Sequence, residues 1–287
     1  MDRNFLFVDL SYFVFYRYFA LLTYYKMSKT ELPEDVTNDH AFLSKFDDLF
    51  EKTIIKLIKQ HCNVKRMTKN CQEKIRVVFG KDCCREQIWR NALTQGYKAT
   101  RVCAPSFDGR IFEHVYSNLI PRLLAKYTYF FLIESKDAEA DDVIAILCKH
   151  IHTKCSNATI VVITNDNDYL QLLDYVTSIY NLKGLDLSER TLRDCPSYYN
   201  MLLKVLVGDT SDNIKGVCGK QYAMNVIQDV KTNCLEQNEE ACCEYVRNKL
   251  DPSLQTVFDL NKKLISFSCI PSEIQEDIKS TYDFILS

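Results

Sequence analysis

Thirteen cysteines are spread over 287 residues without a single CxxC pair, and the neighbours Cys83–Cys84 and Cys242–Cys243 are poor signatures of a tetrahedral site. Structural zinc is therefore set aside. The odd count and the lack of a secretory leader point to free thiols in a reducing, intracellular compartment: cytoplasm or nucleus, or a host cell if the source is viral. The chain also lacks an excess of one charge, its formal net charge being −2, so whole-chain charge neither invites nor excludes a nucleic acid. Long disorder is excluded by a composition that is 47% apolar and 26% charged. No repeat, low-complexity tract or Pro/Gly/Ser linker divides the sequence. The nearest approach to a membrane or signal segment, Phe5 to Tyr25, is interrupted by Asp9 and Arg17 and has no basic leader or small-residue cleavage site. A strand followed by a helix is expected there, with no membrane partner. The 17 Tyr and 16 Phe are read as core filling.

What is present is a rhythm of short apolar runs alternating with helical patterns. Strands are expected at residues 4–8, 75–79, 127–133, 159–164 and 176–180, and helices from about Ser11, over 41–60 and over 139–150. This alternation predicts an α/β fold with a largely parallel sheet flanked by helices. After residue 190 the strand pattern stops. Helices over 199–207 and 220–230 enclose three of the chain's seven glycines, Gly208, Gly216 and Gly219. The expected division is a core over 1–195 and a helical region over 196–287 packed upon it.

Nine acids sit at the ends of these elements: Asp9, Asp82, Glu139, Asp141, Asp142, Asp166, Asp168, Asp209 and Asp212. In a parallel sheet the ligand site lies beyond the carboxyl ends of the strands, so one rim can gather them. Gathered acids repel unless cations neutralise them, and hard oxygen donors in this number suit Mg²⁺ or Mn²⁺. A carboxylate-lined pair of such ions is the usual device for cutting phosphodiesters, and setting the nine acids aside leaves the rest of the chain basic enough to meet phosphates. Glu139 and Asp142 share a helical face beside Asp141. Asp166 and Asp168 point the same way if the chain stays extended. Asp209 and Asp212 lie in a Gly-bounded turn that can offer backbone groups to a phosphate. The segment 81–101 adds Lys81, Arg85, Arg90, Lys98 and Arg101, of which Lys98 and Arg101, three apart, can offset charge on a scissile phosphate; the rival reading is a solvated basic helix face.

In order and spacing, FVDLS, D…WR…YKATR, AEADD, TNDND and GDTSDNIKG resemble the 5′-nuclease superfamily of flap endonucleases, and most of all its bacteriophage flap-endonuclease/RNase H group. The resemblance spans about residues 4–230. It implies a PIN-like α/β fold with a basic helical gateway over about 82–126, a helix–three-turn–helix DNA-binding element, and two Mg²⁺ ions, with Mn²⁺ as a substitute. It places Asp9, Asp82, Glu139, Asp141, Asp142 and Asp166 around the first ion. Asp168, Asp209 and Asp212 serve the second, sharing Asp166. The catalytic set so implied is Lys98, Arg101, Asp142 and Asp166. The nucleic-acid contacts are Arg17, Arg90, Lys98, Arg101, Gly208, Lys215, Gly216, Gly219 and Lys220. The partners are DNA with a 5′ flap, nick or end, or an RNA–DNA hybrid, with replication proteins alongside. Where the family continues GVxGIGxK, this chain has the shorter GVCGK (Gly216–Lys220), which argues against the K⁺ ion held by that loop and against strong duplex affinity.

The function expected is a metal-dependent structure-specific 5′ nuclease of replication, repair or recombination. Its rivals are a non-catalytic DNA-binding scaffold of the same fold and a PIN-type ribonuclease. The GDTSDNIKG turn opposes the ribonuclease, because single-stranded RNA needs no duplex grip. A DxD glycosyltransferase would leave seven acids unexplained.

Overall fold

A computed structural model describes residues 3–62, 72–101, 104–192 and 195–286. Five strands form one parallel sheet: β1 (Asn4–Asp9), β2 (Ile75–Gly80), β3 (Phe130–Ile133), β4 (Thr159–Ile163) and β5 (Ser178–Tyr180), in the order β3-β2-β1-β4-β5. The register aligns the strand ends. Asp9 pairs with Gly80, Gly80 with Ile133, and Val8 with Ile163. All chain segments that leave the strands' carboxyl ends therefore emerge at one rim.

The period of two decides which side chains face which layer. Leu6, Val8, Val77 and Phe79 join a cluster with α1 (Leu10–Ser28) and α2 (His40–His61). Phe5, Phe7 and Val78 face the opposite side, against α5 (Ala140–Lys154). Burial on both faces explains why the strands read as unbroken apolar runs. Phe42, Phe46, Phe50, Ile54 and Ile58 recur at four-residue spacing along α2 and give it the buried stripe that seats it on the sheet. Between β2 and β3 the chain forms α3 (Ile111–His114), a π-helical turn (Val115–Leu119) and α4 (Ile120–Lys126).

Two expectations about local structure are corrected. The third strand starts at Phe130 rather than Tyr127, because the Tyr127 amide closes the last turn of α4 on the Leu123 carbonyl. The expected basic helical gateway over about 82–126 begins not with a helix but with two short 3₁₀ turns, Arg85–Gln87 and Trp89–Ala92, followed by turns up to residue 101.

The last third is helical: α6 (Tyr198–Val207), α7 (Lys220–Asn233), α8 (Glu239–Lys249), α9 (Pro252–Ile265), α10 (Ser272–Ser280) and α11 (Tyr282–Leu286). A two-stranded antiparallel ribbon, β6 (Gly208–Asp209) and β7 (Ile214–Lys215), lies between α6 and α7. Helices α6 to α9 share a third core, which includes Leu202, Leu206, Ile227, Val246 and Phe258 together with Ile88 and Tyr97 from the segment after β2. Phe267, Ile278 and Ile285 instead return to the sheet's second layer. Arg76 on β2 fastens this return by donating to the Ile285 carbonyl at 2.6 Å. The segment after β2 thus joins the helical region through Ile88 and Tyr97, and the tail beyond residue 265 packs with the sheet's second layer.

Cys62, Cys148, Cys242 and Cys243 are free and buried, while Cys71 and Cys103 lie outside the described residues. Among the described residues no helix is long and apolar enough to cross a membrane.

Candidate metal and nucleic-acid site

The sheet rim opens into a cavity of about 1110 Å³. Asp9, Asp82, Glu139, Asp141, Asp166 and Asp209 line it, together with Lys98, Arg101, Lys204 and Lys220. Each acid is placed by local chemistry. Asp9 ends β1 and caps α1, accepting from the Tyr12 amide at 3.0 Å. Asp82 follows β2 and accepts from the Ser11 hydroxyl and from the Ala140 amide, the latter at 2.8 Å, so it ties α1 to the start of α5. Glu139 is the N-cap of α5 and forms a capping box with Asp142. Asp141 stands in the first turn, where the helix dipole favours a negative charge.

Asp166 caps the 3₁₀ turn Asn167–Leu172 after β4, its side chain accepting from the Asp168 amide at 2.9 Å. The condition for Asp166 and Asp168 to point the same way, an extended chain, is therefore not met. The chain turns at once, and Asp168 is carried inward to meet Lys204 and Asp209.

The nine acids gather as two clusters with Asp9, Asp82 and Asp166 along the rim. Glu139, Asp141 and Asp142 each bring a carboxylate oxygen within 4.8 Å of the others, and so do Asp168, Asp209 and Asp212. The donors are hard oxygens throughout, which fits Mg²⁺ or Mn²⁺. Cys83 also lines the cavity, but burial, then Glu139, pushes its thiol up to about 12, so it is a poor soft ligand.

Crowding leaves its mark on the acids. Burial, with Asp82 beside it, pushes Asp9 up to about 7. Burial followed by the charge of Asp141 raises Glu139 to about 7, and burial followed by Asp166 does the same to Asp168. Burial also works against an ionised Asp209, but Lys204 outweighs it and holds that carboxyl down at about 2. Asp9, Glu139 and Asp168 are thus strained as anions without a cation and are ready to accept one.

Three residues do not take the places expected of them. Arg90, expected to contact nucleic acid, is 2% exposed and lies behind the rim. It donates to Asp142 through both terminal nitrogens (2.8 and 2.7 Å), to Glu139 (3.0 Å) and to the Leu264 carbonyl (2.8 Å). Asp142, expected among the catalytic groups, is fully buried, and its oxygens are held by Arg90 and by the Trp89 indole at 2.9 Å. The pair anchors the 3₁₀ turn 89–92 to the head of α5, and Asp141 is the acid of that turn that faces the cavity. Arg17 also stays outside the cavity wall, donating to the Thr53 hydroxyl on α2 at 2.9 Å.

Lys98 and Arg101 do reach the rim. Lys98 pairs with Glu139 and, at 3.7 Å, with Asp212; Arg101 pairs with Asp212 and donates to the Ser211 carbonyl at 3.3 Å. Gly208 ends α6 at φ 78°, and a Cβ there would come within 2.5 Å of the Ile214 carbonyl oxygen. A Cβ on Gly216 would come within 2.2 Å of the Val207 carbonyl oxygen, so both glycines are needed to fold the ribbon against α6. Lys215, Gly219 and Lys220 are exposed beyond that turn, Gly219 as the N-cap of α7.

Three participants escaped the sequence reading. Lys204, the sole charged residue of the helix YYNMLLKVLV, reaches both Asp168 and Asp209, the latter at 2.6 Å. Its isolation on an apolar helix five residues before Asp209 was the available signal. Tyr97, 6% exposed, donates its hydroxyl to Glu139 at 2.8 Å. Arg190 lines the cavity from the exposed side and donates to Asn165 and Asn167, both at 3.3 Å; nothing in its local sequence marked it.

Comparison with known proteins agrees with this geometry. DNA polymerase I of Caldicellulosiruptor bescii is 32% identical over 168 residues, covering 52% of this chain and 19% of that protein. A 5′-3′ exonuclease of Mycoplasmopsis pulmonis is 29% identical over 191 residues, covering 64% of this chain and 57% of its own length. The chain thus spans about a fifth of the first relative and just over half of the second. The crystal structure of bacteriophage T5 D15 protein with metal ions superposes with a TM-score of 0.61 at 17% identity, covering 99% of this chain and 100% of that one. A complex of the T5 D15 flap endonuclease with DNA and metal ions superposes at 0.59, also at 17% identity and covering 99% of both chains. These likenesses establish the PIN-like fold. With a family model matched over residues 4–195, the chain belongs to the 5′-3′ exonuclease family, through its N-terminal resolvase-like domain.

Proposed function

We propose that this chain is a divalent-metal-dependent 5′ nuclease that cuts DNA at a 5′ flap, nick or end. The observation that carries the reading is the meeting of Asp9, Asp82, Glu139, Asp141, Asp166 and Asp209 with Lys98 and Arg101 at one cavity, with Asp168 and Asp212 grouped behind Asp209, beside the Gly-bounded ribbon between α6 and α7. Asp9, Asp82, Glu139, Asp141 and Asp166 would hold one Mg²⁺ ion, and Asp166, Asp168, Asp209 and Asp212 a second. Bound there, the ions would acidify the attacking water and offset charge on the leaving oxygen.

The chain's own groups do the rest. Lys98 and Arg101 face the phosphate and balance the charge that grows on its oxygens. The backbone groups of Gly208–Lys220 take the duplex phosphates, and Lys215 and Lys220 add positive charge beside them. Asp142 contributes through Arg90, by fixing the turn that carries Glu139 and Asp141. The products carry a 5′-phosphate and a 3′-hydroxyl.

The test is cleavage of a 5′-labelled flap duplex in Mg²⁺, beside single strands and an RNA–DNA hybrid, with Asp166→Asn as the control. Cutting near the junction that this variant loses supports the reading. Binding without cutting in both Mg²⁺ and Mn²⁺ would replace it with a non-catalytic scaffold, and preference for the hybrid would move the substrate to RNA–DNA.

A further inference from the structure

Among the described residues that are not glycine, four have a left-handed backbone, and two of them face each other at the rim: Lys98 at φ 53° and Asn213 at φ 60°. Such a conformation is uncommon outside glycine and is costly for a long side chain such as lysine, so it persists only where neighbouring contacts hold it. The contacts are on view. The Lys98 amide donates to the Asp212 carbonyl at 2.9 Å, and the Asn213 side-chain amide donates to the Gly96 carbonyl at 2.9 Å. Gly96 leaves room for that approach, since a Cβ there would stand 3.2 Å from the Asn213 nitrogen. The turn bearing the basic residues is therefore stitched at Gly96 and at Lys98 to the loop between β6 and β7.

We infer that Asn213 is a positioning residue: it fastens the Lys98 turn to the ribbon between α6 and α7, and so sets the lysine ammonium against the reacting phosphate according to where that ribbon grips the duplex. Asparagine suits the task because it tolerates the left-handed region and carries a donor long enough to cross to Gly96. Asn213 itself is exposed and belongs to neither acid cluster, so its effect passes through Lys98. Duplex recognition and phosphate alignment thereby become one structural unit. The inference rests on the nuclease reading given above.

The experiment is a double-mutant cycle in single-turnover flap cleavage, using Asn213→Gly, Lys98→Ala and the double variant. Flap affinity without divalent metal and thermal unfolding are measured alongside. Glycine accepts the left-handed backbone, so the variant removes only the amide. The expected result is a rate lowered about three- to tenfold by Asn213→Gly, as befits one lost hydrogen bond, with affinity and unfolding temperature held. In the Lys98→Ala background the same change should cost less than about twofold, because the group being positioned is gone.

An equal loss in both backgrounds, or an Asn213→Gly enzyme cutting at the unmodified rate, would overturn the inference. Should the glycine variant fail to fold, Asn213→Asp, which keeps the backbone preference and loses the donor, completes the same cycle. Failure of the unmodified chain to cut any flap would instead remove the nuclease reading, and this inference with it.

Discussion

Arg90 and Lys204 each neutralise acids of the same rim, but under different conditions. Arg90 is 2% exposed and holds Asp142 with two parallel bonds, while the Trp89 indole takes up one of the same oxygens. The Lys204 side chain is 18% exposed, opens onto the cavity, and divides one ammonium between Asp168 and Asp209. A bidentate guanidinium in a dry site is a fixed part of the fold, because either partner alone would be a stranded buried charge. An ammonium on a flexible stem at a wet wall is an exchangeable counter-ion. Similar ion pairs thus anchor one acid cluster from behind and, in the other, leave Asp209 and its ammonium partner at the cavity wall, where a cation from the solvent can replace that ammonium.

That contrast breaks most sharply at Arg90. Arg90→Ala should destabilise the protein by about 3–5 kcal/mol, read as a lower urea midpoint, because Asp142 is left charged and buried. Replacing both partners with apolar residues of similar volume should recover much of the loss. If the single variant unfolds at the unmodified midpoint, the pair is not an anchor.

The acids themselves sharpen the comparison. Asp141→Asn should lower the cleavage rate by about 10²–10³-fold, the scale of losing one preorganised electrostatic group, with the urea midpoint held. Asp142→Asn should do the reverse, moving the midpoint more than the rate per folded molecule. A swap of these outcomes would return Asp142 to the cavity.

Lys204→Met should cost about 1–2 kcal/mol at pH 8 in chelator, since Asp168 and Asp209 then face each other without a cation. Added Mg²⁺ should restore most of it, and a loss that Mg²⁺ leaves untouched would make Lys204 structural in the manner of Arg90.

The mildest effect is that of pH. Asp9, Glu139 and Asp168 sit near 7 in the folded chain, above ordinary carboxyls. Between pH 4 and 7 the folded state therefore binds more protons than the unfolded one, and these groups make stability fall as pH rises through that window. Thermal unfolding in chelator should show this decline, and Mg²⁺ should stabilise more at pH 8 than at pH 5. A Mg²⁺ effect that does not change with pH would separate these acids from the metal.

The sequence carried the rim well because the apolar runs at 4–8, 75–79 and 159–164 are strands, and Asp9, Asp82 and Asp166 come at or just after their ends. Once the sheet is parallel, register alone brings Asp9, Asp82 and Asp166 together. It carried the inner pairs poorly. A three-residue spacing puts Glu139 and Asp142 on one helical face, but only the packed fold shows Arg90 waiting behind that face. The DxD of TNDND reads as extended until the Asp166 side chain caps its own turn. Segment 94–101 takes its conformation from bonds to residues 211–213, more than a hundred positions away. Local propensity does not encode such contacts.

The most direct test of the account is diffraction from crystals soaked in Mn²⁺, read from the anomalous signal of the ion. The account predicts two peaks at the rim, one among Asp9, Asp82, Glu139, Asp141 and Asp166, the other among Asp166, Asp168, Asp209 and Asp212, with Arg90 still on Asp142. Peaks elsewhere, or none at the rim at millimolar Mn²⁺, would contradict it.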